Sequence, residues 1–117
     1  MNFDWSSGPL AEGLQCYRER RFWHAHEHWE AIWLQLDGAE KMLLQALIQT
    51  TAAFHHLQRH NLIGTASLLR AAMRRLDPLP ASFCGIEVET LRENLRSWLQ
   101  ALDQGKSVAD LPFPRIA

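Results

Sequence analysis

The chain of 117 residues has no stretch approaching the roughly 20 apolar residues that a membrane-spanning helix needs. It has only two cysteines, Cys16 and Cys84, far apart and outside any C-x-x-C pair, which excludes a disulfide framework and a cysteine-rich metal site. Its six glycines are scattered, so no loop of the phosphate-cradling kind is present. No serine stands in a G-x-S-x-G elbow. Strand-like alternation is missing, and β-branched residues are few. A net charge of −1 gives no general attraction to nucleic acid or to anionic membranes. The opening stretch MNFDWSSGPLAEG carries neither a basic region nor an apolar run, so no secretory signal is expected and a cytoplasmic address with reduced, buried cysteines is.

What is present is helical periodicity in a length that suits one domain over residues 1–117. SSGPLAEGLQCYRER begins with small polar residues and Pro9, the grammar of a first helical turn. From Phe22 to about Leu36 an apolar stripe runs through Phe22, His26, Trp29, Trp33 and Leu36, closed by Gly38. A third helix, from about Ala39 to Arg59, is apolar on nearly every side except for a stripe of Gln45, Gln49 and His56. Asn61 reads as the N-cap of a fourth helix with an inner face of Leu62, Leu69, Met73 and Leu76, ended by Pro78 and Pro80. A fifth starts near Val88 with Leu91, Leu95, Trp98, Leu99 and Leu102 in line. The tail 103–117, ending in LPFPRIA, reads as extended and lying back against the helices. The expected fold is an all-α compact bundle of about five helices, mostly antiparallel neighbours joined by short loops.

The chemistry concentrates in FWHAHEHWEAIW, residues 22–33. On a helical wheel His26 falls inside the apolar stripe and Glu30 at its edge, four residues on and therefore adjacent. Glu27 lies well round the other side, and His24 and His28 face away. Three readings fit this pattern. A His and a Glu at this spacing could hold a divalent metal, with His56 from the third helix as third ligand and Gln49 orienting a bound water. HEHWE does not match the zincin H-E-x-x-H, because a glutamate stands where the second histidine belongs. Alternatively, His26, Glu30, Gln49 and His56 form a buried hydrogen-bonded network with no ligand, since an unpaired polar group in a core costs about 1–3 kcal/mol. The third reading is a small-molecule or peptide pocket lined by the tryptophans. Trp23, off the main stripe, suits contact with a partner or a second subunit. The clusters Arg18, Arg20, Arg21 and Arg70, Arg74, Arg75 read better as solvated helix faces than as a nucleic-acid surface.

FWHAHEHWEAIW, then LLQALIQTTAAFHHLQRHNLIG, then GIEV before a closing helix together resemble the short bacterial and archaeal proteins of domain-of-unknown-function family 309, over about residues 14–102. The family's A-H-E-x-x-E element falls on Ala25, His26, Glu27 and Glu30, followed by Trp33. Its L-I-Q falls on Leu47, Ile48 and Gln49, its His and Asn near the third helix end on His56 and Asn61, and its glycine of the fourth helix on Gly64. The chain departs from the pattern at His60, where glycine is usual in a left-handed turn, at Thr65 in place of a small alanine, and at Glu87, a poorer N-cap than aspartate. The resemblance implies a compact helical bundle and no assigned activity. It selects His26, Glu27, Glu30, Gln49, His56 and Asn61.

The resulting expectation is a non-catalytic binding or scaffolding module, a homo-oligomer with a protein or small-molecule partner, whose polar centre is His26, Glu30, Gln49 and His56. The rival is a metal-dependent hydrolase with His26, Glu30 and His56 as ligands to a divalent metal and Glu27 as general base if it turns toward the site.

Overall fold

The computed structural model describes residues 3–117. Five helices follow one another: α1 (Gly8–Arg18), α2 (Phe22–Trp33), α3 (Gly38–Gln58), α4 (Leu62–Leu76) and α5 (Val88–Asp103). Between α4 and α5 lies a minimal hairpin, β1 (Ser82–Phe83) and β2 (Ile86–Glu87), in antiparallel register Ser82 to Glu87 and Phe83 to Ile86. The fold is therefore all-α, with that hairpin as an addition the periodicity did not suggest. Cys84 and Gly85 turn it, both at positive φ (+52° and +79°), the geometry that matches strand twist in a two-residue loop.

Each helix packs on the next in sequence, and the short loops from α1 to α4 make those neighbours antiparallel. The helix that is apolar on all sides, α3, is the central one: Leu43, Leu44, Ala46, Leu47, Ala53 and Phe54 are fully buried along it. Thr50 and Thr51 are buried there too, and neither hydroxyl is orphaned. Thr50 donates to the Ala46 carbonyl and Thr51 to that of Ile48, each at 2.8 Å. Phe22 and Trp29 from α2, Leu69, Ala72 and Leu76 from α4, and Leu91, Leu95 and Trp98 from α5 complete the core.

Some details depart from expectation. α2 ends at Trp33, three residues early, although Leu36 is still buried beyond it. Leu62 was placed on the inner face of α4, yet it is 52% exposed, because it lines a surface recess with Leu57 and Leu102 and does not reach the core. Cys84 is only partly buried, whereas Cys16 is buried. Arg92 lies on the inner face of α5 and is buried. Its guanidinium donates to the carbonyls of Leu76 (2.7 Å) and Leu79 (3.0 Å), so a side chain from α5 satisfies the C-terminal end of α4. The same group is held by Glu89, one turn earlier, at 2.6 Å.

His60 sits at φ +59° and keeps the left-handed turn without glycine. Glu87 begins α5 with no side-chain cap hydrogen bond; its carboxylate accepts from the Ser82 hydroxyl at 3.1 Å instead. Among the described residues no helix is long and apolar enough to cross a membrane.

Candidate functional site

The layer between α2 and α3 carries the unusual chemistry. Trp23 contacts His55 and Lys41 lies over Trp33, two pairings that fix an antiparallel register for these helices. In that register Gln49 stands across from residues 25–29, which include His26.

His26 is mostly buried. Its Nε2 lies 3.3 Å from the Glu30 carboxylate, the i,i+4 pair the spacing suggests, while Glu30 itself is half-exposed. A carboxylate only accepts, so in the tautomer that carries its proton on Nε2, toward Glu30, Nδ1 is left with the lone pair. That Nδ1 is buried and has no hydrogen-bond partner in the chain. Gln49 Oε1 and Trp33 Nε1 are in the same condition. All three such atoms among the described residues therefore belong to α2 and α3: His26 Nδ1 and Trp33 Nε1 on α2, and Gln49 Oε1 on α3.

Trp23 roofs this region. Its indole stacks on the His26 ring at 4.8 Å and 20° and leans on His55 at 5.3 Å, while 48% of the residue remains exposed. The His55 pKa is lowered from its ordinary value, first by burial and then by Arg59, His56 and His26 nearby. His55 is therefore biased toward its neutral form.

His56 has a different task. Asn61 caps α4, its Oδ1 accepting from the Gly64 amide at 3.0 Å, which leaves the Asn61 Nδ2 to donate to His56 Nδ1 at 3.2 Å. With Nδ1 occupied as an acceptor, neutral His56 bears its proton on Nε2 and offers no free lone pair. Gly64 is required here: a Cβ would stand 2.6 Å from Asn61 Nδ2 and 3.2 Å from the His56 ring. The buried Thr65 adds a bond from its hydroxyl to the Asn61 carbonyl at 2.8 Å.

Of the residues singled out from sequence, the structure thus brings His26 to Glu30 and places Gln49 opposite, but turns His56 to Asn61. Glu27 is exposed, on the far side of α2. His24 is exposed as well, and His28 pairs across to Glu12 of α1 at 3.6 Å. Among the described residues no three His, Cys, Asp or Glu side chains are gathered as the ligands of a metal ion would be. Sequence reasoning gave Trp33 no polar role; its buried N–H has no partner from the chain, and the residue lines a recess of about 440 Å³ together with Lys41, Gln45 and Arg75. The signal was the Trp33–Lys41 pairing between α2 and α3, which no single-helix wheel can reveal.

With this geometry in hand, comparison with known families places residues 10–68, half of the chain, within the domain of unknown function DUF309. The chain belongs to this family. The matched stretch contains α1 from Leu10 onward, all of α2 and α3, and the capping turn at Asn61 and Gly64, hence every residue of the α2–α3 layer. It ends inside α4, so the hairpin and α5 lie beyond it, a narrower span than the resemblance over residues 14–102. No curated protein matches the chain. In this family member His60 takes the left-handed position, and the cap at Asn61 is intact.

Proposed function

We propose that this DUF309 protein is a non-catalytic binding module whose ligand enters the α2–α3 layer and donates hydrogen bonds to His26 Nδ1 and Gln49 Oε1. The observation that carries the reading is the pair of buried polar atoms, His26 Nδ1 and Gln49 Oε1, with no partner from the chain. Each costs about 1–3 kcal/mol when left unmade, which favours a ligand bearing N–H or O–H groups. Glu30, beside His26, suits a positively charged donor such as an amine, and the half-exposed Trp23 indole offers a flat apolar wall.

The metal-hydrolase reading draws less support. His56 offers no free lone pair, and Glu27 lies on the far face of α2.

Native mass spectrometry of the untagged protein beside His26→Ala and Gln49→Leu tests the proposal. A small-molecule adduct present in the wild type and lost in both variants is the expected result. A divalent-ion adduct lost in His26→Ala would instead restore the metal reading. No adduct, with Gln49→Leu at least as stable as the wild type, would reduce the layer to architecture, because an empty acceptor replaced by an apolar group of similar size should then be neutral or favourable.

A further inference from the structure

Away from the α2–α3 layer, the chain binds its own tail as a groove binds a peptide. Residues 112–117 have no regular secondary structure. Trp98 Nε1 donates to the Pro112 carbonyl at 3.0 Å, the Tyr17 hydroxyl to that of Pro114 at 2.6 Å, and Arg18 to that of Ala117 at 2.7 Å. Three side chains of the helices thus read the backbone of an extended segment. Between the first two contacts the Phe113 ring enters an aromatic socket, 5.2 Å from Phe22, 4.9 Å from Phe54 and stacked on Trp98 at 5.7 Å, with the Arg20 guanidinium 5.0 Å from its centroid. Pro114 is buried, and Ile116 is only 4% exposed. Aromatic walls bearing an indole N–H and a phenol, set against a segment stiffened by prolines, are the chemistry of polyproline recognition.

The segment is pre-organised for this. Pro112 and Pro114 fix their own φ, and they force Leu111 and Phe113 toward extended geometry, so little backbone freedom is lost on docking. The connection to α5 lies at the surface by contrast. It leaves the helix through Gly105 at φ +66° and runs exposed over most of residues 104–110. Beneath it lies a recess of about 510 Å³ lined in part by His60, Leu62 and Leu102. Seven such residues can span roughly 23–25 Å when extended, enough to reach a neighbouring molecule.

We infer that this groove is a receptor for an extended proline–aromatic–proline segment, and that the tail of a second copy is the occupant it exchanges for its own. An identical tail makes identical contacts, so reciprocal exchange between two copies loses none of them. The inference is independent of what enters the α2–α3 layer.

The test uses full-length protein and a synthetic peptide of residues 108–117, VADLPFPRIA. In Phe113→Ala the resident tail loses its plug while the groove keeps every side chain. The peptide should bind this variant at least tenfold more tightly than the wild type, whose own tail competes at an effective concentration of order millimolar. A peptide carrying alanine for the phenylalanine should not bind. Sedimentation velocity should show concentration-dependent dimers of the wild type that Phe113→Ala abolishes. Should Phe113→Ala fail to fold, Ile116→Ala weakens the tail more gently and serves both measurements. Absence of peptide binding to a folded tail variant would overturn the receptor, and a wild type monomeric at every concentration would overturn the exchange.

Discussion

Replacing Gly13 with alanine sets two effects of opposite sign against each other. Gly13 lies inside α1, where alanine is preferred over glycine by about 1 kcal/mol on helix propensity alone. Propensity therefore predicts a more stable protein. The packing says otherwise, because a Cβ at this position would stand 2.2 Å from Trp29 Nε1 and 2.6 Å from its Cδ1. Trp29 has no room to retreat: it is fully buried, its N–H donates to the Leu10 carbonyl at 3.2 Å, and Trp5 meets it edge-on at 6.1 Å. Forcing extra volume into a packed core costs about 1–3 kcal/mol, and losing the indole hydrogen bond adds about 1. Set against the propensity gain, Gly13→Ala should destabilise by roughly 1–3 kcal/mol, a fall of about 5–10 °C in Tm for a chain of this size. Urea unfolding followed by tryptophan fluorescence, with a thermal melt beside it, gives the number. Trp29→Phe in the same background should recover part of the loss in a double-mutant cycle, since the smaller ring leaves space for the methyl group. A Gly13→Ala protein as stable as the wild type would refute the account, and with it the claim that α1 is held against α2 by backbone contact with an indole.

Three further outcomes follow from other contacts. Arg92→Met should cost about 2–3 kcal/mol, because the buried guanidinium serves the α4 carbonyls and Glu89 together; Arg92→Lys should recover less than half of it, lacking the fork, as chemical denaturation will show. His60→Gly should stabilise by about 0.5–1 kcal/mol through relief of the left-handed strain, measured the same way, and should leave the Asn61 cap undisturbed. The pKa of Asp4 is lowered from 3.8 to about 2, chiefly by hydrogen bonds from Ser6 and also by one from Ser7. Its folded value is the depressed one, so its contribution is full above pH 3.8 and fades as pH falls toward 2. The stability difference between wild type and Asp4→Asn should accordingly narrow over that window, and a constant difference would remove Asp4 from the account.

What could be read from the chain, and what could not, divides along the range of the interactions. Helix faces are set by residues three and four apart, so the stripe through Phe22, Trp29 and Leu36 and the all-round apolar character of α3 were legible, together with the His26–Glu30 pair and the Asn61 cap. Gln49 could be assigned to a polar stripe, but its lack of a partner depends on what α2 places opposite. His56 was read as facing the centre because the wheel knows nothing of the next helix; the Asn61 amide, five residues on, claims its Nδ1. Arg92 stands out in no sequence pattern, since a guanidinium serving carbonyls of another helix leaves no periodicity behind.

The tail shows the same limit and bears on how the bundle is stabilised. LPFPRIA reads as extended from its prolines alone, yet its partners Tyr17 and Arg18 stand 97 and 99 residues away from the carbonyls they bind. Nothing in α1 announces that Tyr17 donates rather than merely packs, though burial pushes its hydroxyl pKa upward and keeps it a donor at any physiological pH. The aromatic socket is likewise assembled from three helices, with Phe22, Phe54 and Trp98 each an ordinary core residue on its own wheel. Phe113 closes that socket, so part of the core is supplied by a segment with no regular secondary structure. Such a segment is held by side-chain contacts alone, and local opening should begin there before any helix unravels. Hydrogen exchange gives that order directly: the Trp98 indole N–H, bonded to Pro112, should exchange faster than the Trp29 indole N–H, bonded to Leu10 inside the α1–α2 pair. The reverse order would make the tail an integral part of the core and remove the physical basis for its exchange.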